Sequence, residues 1–221
     1  VKTGTERELL ENFESTEYFK AWMSFLKSES LKNLSDSGVI IEFFPHANIQ
    51  PYIELFDIPE HVQLMTFSNV SIQDLFVRAS LMITDYSSVA FEMAYLQKPV
   101  IYYQFDVDDF YRKGVYNKGY FDSKDNGFGP VVYEEADLLY EVEQLHMAQF
   151  QLSGAYKERV EKFFPYRDGK CCERLLSEIL KRDFYKNTED TDKSTVLNSM
   201  LKKGLFRNAL NLLKNNQLEQ Y

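Results

Sequence analysis

Six residues in this 221-residue chain are of types and at spacings suited to holding an anionic ligand. The stretch "ITDYSSVAFEMAYLQKPVIYY", residues 83–103, ends an apolar run at Thr84 and Asp85. It then gives two hydroxyls, Ser87 and Ser88, and carries one carboxylate, Glu92, about a turn into a helical segment. A helix N-terminus leaves several backbone N–H groups without intrahelical partners and carries partial positive charge, so a phosphate placed there gains hydrogen bonds and dipole stabilisation together. Ser87 and Ser88 add donors at that point, and Glu92 can accept from vicinal ribose hydroxyls. The same residues serve equally as ordinary helix caps and a solvated surface carboxylate, and spacing alone leaves both readings open.

His46, after Pro45 at the end of "GVIIEFFPH", is the fifth candidate. If the strands are parallel it lies at the same sheet edge as Asp85, where an imidazole can act as a general base or, protonated, stabilise charge developing on phosphate. The sixth is Gly129 in "DNGFGPVV", residues 125–132, where two glycines flanking Phe128 can bring backbone N–H groups close to an anion or simply form a tight turn.

The elements that must position these groups follow from periodicity. Residues 5–34 place Leu9, Leu10, Phe13, Phe19, Trp22, Phe25 and Leu26 at spacings of three and four, which predicts a one-sided helix. Short β-branched and aromatic runs recur at 38–46, 62–67, 81–84, 100–103 and 131–133, separated by helical patterns. Ser71 and Asp74 have capping-box spacing before the helix between the second and third runs, Ser87 or Ser88 is expected to cap the next, and Asp168 the one running to about Arg182. Strands alternating with helices predict a parallel sheet with both faces covered, an α/β Rossmann-like layer structure, with ligands beyond the carboxyl ends of the strands. The expected organisation is one domain over 1–182, a polar linker over 183–195 and a short helical tail over 196–221.

Composition narrows the function. With 44% hydrophobic and 15% aromatic residues the bulk of the chain folds. Lys and Arg total 25 against 34 Asp and Glu, a formal charge of −9, which argues against nucleic acid as a partner. No apolar stretch approaches the roughly 20 residues that cross a bilayer. Cys171 and Cys172 are adjacent, a spacing that suits neither a relaxed disulfide nor a zinc site, so they read as reduced thiols and a cytoplasmic location is expected. The first residue is Val, and the chain is expected to be part of a longer protein.

Taken together, "FFPH", "ITDYSSVAFEMAYLQKPVIYYQFD", "NKGYFDSKDNGFGPVV" and "YRDGK" resemble the CDP-glycerol glycerophosphotransferases, bacterial enzymes of teichoic-acid and capsule polymer synthesis, over about residues 38–182. The resemblance implies the C-terminal, donor-binding half of a GT-B type transferase, with no cofactor and no metal beyond CDP-glycerol or CDP-ribitol as donor. It implies His46 near the donor phosphates, Ser87 and Ser88 on the pyrophosphate, Glu92 on the ribose, and Lys118 where the family usually has a basic residue before a Gly-aromatic pair, often Arg. It also implies a polymer acceptor on a lipid carrier, a missing N-terminal domain carrying a His-Gly motif, and a full-length protein peripheral to the inner face of the membrane. The expected reaction is transfer of glycerol phosphate or ribitol phosphate to a hydroxyl of a growing cell-surface polymer. The alternatives are a GT-B glycosyltransferase using a UDP-sugar or other nucleotide sugar, and a non-catalytic protein-interaction module.

Overall fold

The computed structural model describes residues 12–113, 119 and 121–181. Lys118, the linker over 183–195 and the tail over 196–221 lie outside these described residues. The chain divides between Phe164 and Pro165 into two compact units.

Periodicity predicts one helix over 5–34; among the described residues it is interrupted twice, after the helical residues 12–13 and again at Ser28. Thr16 accepts from the Phe19 amide and Ser28 from the Leu31 amide, each at an extended backbone, so the apolar stripe is cut into α1 (Glu17–Leu26) and α2 (Glu29–Asp36). Strand β1 (Ile41–Phe43) pairs in parallel with β2 (Val62–Leu64), Ile41 opposite Val62. A 3₁₀ segment at Gln50–Leu55 lies between them. Then come α3 (Ile72–Arg78), β3 (Met82–Thr84), α4 (Ala90–Tyr95) and β4 (Val100–Tyr103). These are followed by α5 (Val107–Lys113), α6 (Ser123–Asn126), β5 (Val131–Val132), α7 (Glu135–Met147) and α8 (Gly154–Phe163).

Among the described residues every strand pairing is parallel, and helices flank the strands, as the alternation predicts. The strands form two hydrogen-bonded sheets, β1–β2 and β3–β4–β5. Strand β4 shows why the pattern was readable. Ile101 and Tyr103 point into a core shared with Trp22, Phe25 and Leu138, while Val100 and Tyr102 pack on Ala90 and Met93 of α4. A strand covered on both faces has no polar alternation, and all four of its residues are buried. The larger core also joins the two sheets, because Trp22 of α1 packs edge-on against Tyr103 at 5.9 Å and lies 6.1 Å from Phe43 of β1.

Two capping expectations change. Ser71 stands at the N-cap of α3, but its hydroxyl donates to Gln73 Oε1 at 2.8 Å and makes no cap bond. A side-chain partner two residues on competes for the hydroxyl that a capping box needs. Neither Ser87 nor Ser88 caps α4, whose N-cap is Val89 in helical conformation without a side-chain bond.

In the second unit α9 (Cys171–Lys181) follows Asp168, whose Oδ1 accepts from the Lys170 amide at 3.1 Å while both carboxylate oxygens meet the Arg174 guanidinium at 2.9 Å. Both cysteines are free and exposed.

Candidate functional site

A cleft of about 1700 Å³ runs along β1 and β3, lined from Gly38 and Ser80 before the two strands to His46 and Ser88 beyond their carboxyl ends. His46, Asp85, Ser87 and Ser88 line it together, so four of the residues singled out by type and spacing converge.

His46 is exposed and set by its own turn. Its carbonyl accepts from the Ile49 and Gln50 amides at 2.7 and 3.1 Å, and its Nδ1 accepts from the Asn48 amide at 3.2 Å. A neutral ring accepting at Nδ1 carries its proton on Nε2, so this nitrogen is the donor the ring can offer a ligand.

After β3 the chain turns tightly. Asp85 accepts from the Tyr86 amide at 2.6 Å, Ser87 Oγ accepts from the Val89 amide at 3.5 Å, and the Ala90 and Phe91 amides bond to the Ser87 and Ser88 carbonyls at 3.4 and 3.1 Å. Those first amides of α4 are thus engaged within the turn. What the segment presents to an anion is chiefly its hydroxyls, of which Ser88 is exposed and Ser87 partly buried.

Sequence reasoning missed the groups that hold this turn. The Tyr86 hydroxyl donates to Asp106 Oδ1 at 2.7 Å, and its ring stacks on Phe110 with centroids 3.6 Å apart and planes 9° from parallel. Gln104, buried, donates to the Asp85 carbonyl and to Ser123 Oγ, both at 3.3 Å. Tyr18 of α1 also lines the cleft. Nothing in its spacing marked it, since an aromatic on an amphipathic helix reads as core.

Burial pushes the Asp85 carboxyl up. The Tyr86 amide opposes this shift, the Asp106 charge adds to it, and His46 opposes it. A carboxyl that holds its proton more tightly than usual offers a nearby phosphate less repulsion. Burial also raises the phenols of Tyr18 and Tyr86; the Asp85 and Asp106 charges add to both, and for Tyr86 so does its hydrogen bond to Asp106. Both therefore remain protonated donors beside the carboxyls. Among the described residues lining the cleft, the side chains able to carry positive charge are His46 and Arg78, and Arg78 is engaged with Glu42.

Two candidates lie elsewhere. Glu92 is exposed in the first turn of α4 and is not among the residues lining the cleft. Gly129 lines a separate cavity of about 210 Å³ with Val100, Pro130 and Tyr156. A Cβ there would sit 1.6 Å from the Val100 carbonyl oxygen, so the glycine is required by close packing of the β5 entry on β4. Among the described residues no group of three or more His, Cys, Asp or Glu is arranged to hold a metal ion.

The family described as CDP-Glycerol:Poly(glycerophosphate) glycerophosphotransferase matches over residues 8–181, which brings the N-terminal helices, absent from the motif-based likeness, into the family region. The minor teichoic acid biosynthesis protein GgaB of Bacillus subtilis (strain 168) is 36% identical over 173 residues, which are 77% of this chain and 18% of that protein. The teichoic acid glycerol-phosphate transferase of Staphylococcus aureus is 28% identical over 158 residues, 69% of this chain and 38% of its own length. The solved wall teichoic acid polymerase TagF shares the fold, with a TM-score of 0.51 at 24% identity over 75% of this chain and 39% of that one. The chain thus spans well under half the length of these relatives.

Proposed function

The chain belongs to the CDP-glycerol:poly(glycerophosphate) glycerophosphotransferase family, and from that premise we propose that it is the donor-binding part of an alditol-phosphate transferase. The observation that carries the reading is the convergence of His46 with the Asp85–Ser88 turn on one cleft at the carboxyl ends of parallel strands.

In the proposed reaction a hydroxyl of a growing cell-surface polymer attacks the distal phosphorus of CDP-glycerol or CDP-ribitol. The new P–O bond forms as the bond to CMP breaks, the hydroxyl proton goes to a base, and CMP departs with the bonding pair. Positioning and charge neutralisation supply most of such a rate enhancement. His46 and the hydroxyls of Ser87 and Ser88 would bind the diphosphate, with the carboxyl of Asp85, its pKa raised by burial, beside them. Glu92 would reach the ribose by extending over the first turn of α4, and Lys118 would add a cation. Acceptor-side groups are proposed to come from a second Rossmann-like domain, with the whole enzyme peripheral to the membrane that carries its acceptor. No helix among the described residues is long and apolar enough to cross a membrane.

Isothermal titration of the chain with CDP-glycerol, CMP and UDP-glucose tests this. Binding of the cytidine nucleotides, weakened by His46→Ala and Ser88→Ala, is expected. A response to the UDP-sugar alone would make the protein a glycosyltransferase, and no nucleotide affinity at all would leave a protein-interaction module.

A further inference from the structure

We propose that Phe67 is the stacking platform for the nucleobase of the bound nucleotide. This inference rests on the donor reading above and adds to it a residue that holds the base.

Among the large hydrophobic side chains exposed on the described surface, Phe67, 57% exposed, is the aromatic one that lines the cleft. It follows β2 at the same carboxyl edge that carries His46 and Ser88. Its ring meets Phe44 in a T-shaped contact, with centroids 4.8 Å apart and planes at 80°. In that geometry Phe44 can occupy at most one face of the Phe67 ring, so the other face is left for a flat partner.

The loop that presents Phe67 is tied down. The Met65 amide donates to the Phe43 carbonyl at 2.8 Å, the Thr66 amide to Asn69 Oδ1 at 2.8 Å, and the Thr66 and Ser68 hydroxyls share a bond of 2.7 Å. A ring held in this way loses little conformational freedom when a base settles on it.

The mixed lining of the cleft supports the assignment. Phe67 touches Phe44 and is flanked in the chain by the neutral lining residues Met65 and Val70, and the ionisable groups His46, Asp85 and Asp106 line the same cleft. A nucleoside diphosphate likewise combines an uncharged ring with charged phosphates. Stacking tolerates any base, so Phe67 supplies affinity for a nucleotide and leaves discrimination among bases to edge contacts.

The test is titration with CMP of the parent chain and of Phe67→Ala, Phe67→Leu and Phe67→Trp. An exposed site makes all three compatible with folding, and unchanged melting temperatures check this. Phe67→Ala and Phe67→Leu are expected to weaken CMP binding about tenfold, as loss of one base–aromatic stack does. Phe67→Trp should keep the affinity and show indole emission quenched at saturation by CMP. Parent-like affinity in the Ala or Leu variant, or indole emission indifferent to CMP, would overturn the inference while leaving the donor reading in place. Absence of CMP binding by the parent would overturn both.

Discussion

The Tyr86 hydroxyl donates to Asp106 Oδ1 at 2.7 Å, joining the residue just before the paired serines to the segment that follows β4. The bond spans two strand ends, so the serine turn is fixed by tertiary contact as well as by its own hydrogen bonds. Tyr86→Phe keeps the stack on Phe110 and removes this one link. It should lower stability by about 1 kcal/mol, the usual net worth of such a bond, and weaken CDP-glycerol binding several-fold. Urea denaturation and calorimetric titration of the same sample measure both.

Asp85 gives a pH dependence with a definite sign. Its folded carboxyl titrates above the ordinary 3.8, so the native state holds the proton more tightly than the unfolded chain does. The stabilisation from that proton is complete below the unfolded value and is lost as pH rises through the folded one. Asp85→Asn keeps an acceptor for the Tyr86 amide and has no proton to lose. Denaturation at steps from pH 4 to pH 7 should therefore show the variant gaining on the parent as pH rises. A difference constant across that range would mean Asp85 titrates normally.

Gly129→Ala should be severe, because the added Cβ would lie 1.6 Å from a backbone oxygen of β4, which has no rotamer to yield. A loss of about 3 kcal/mol or more is expected, in the class of overpacked core substitutions. Soluble yield and the urea midpoint report it. The corresponding alanine at the exposed Gly154, where nothing lies within 4 Å of the added carbon, should leave both unchanged.

Gln97 stands just past α4 with φ of 57°, its amide bonded to the Ala94 carbonyl and that of Lys98 to Met93. This left-handed position at a helix end favours glycine. Gln97→Gly should raise stability by about 0.5 to 1 kcal/mol, readable as a shift of the thermal midpoint.

The convergence of His46, Asp85, Ser87 and Ser88 was legible because parallel strands deliver their carboxyl ends to one edge, so residues that finish β-branched runs become neighbours whatever lies between them. Strand β4 was legible to the residue, since burial on both faces leaves an unbroken apolar run. Strand β1 was not: the run over 38–46 is long enough for nine residues, but pairing with β2 lasts for three. The break at Ser28 left a trace in the sequence that the helical reading passed over, since Leu26 to Leu31 is a step of five, off the three-and-four rhythm, with a capping residue type between them. Tyr18 and Asp106 were invisible as site residues, because only tertiary packing brings a helix near the start of the chain to the segment after β4. Gly129 carries the same sequence signal for an anion loop as for close packing, and only the position of Val100 decides between them.

The division of the strands into two ladders has a mechanical consequence. Within each sheet, backbone hydrogen bonds fix register, and sliding by one residue breaks them. Across the seam, Trp22 against Phe43 and Tyr103 supplies cohesion through ring faces and edges, which can glide with little loss of contact. Tension applied along the strands would therefore shear the molecule at that aromatic seam before either ladder unzipped.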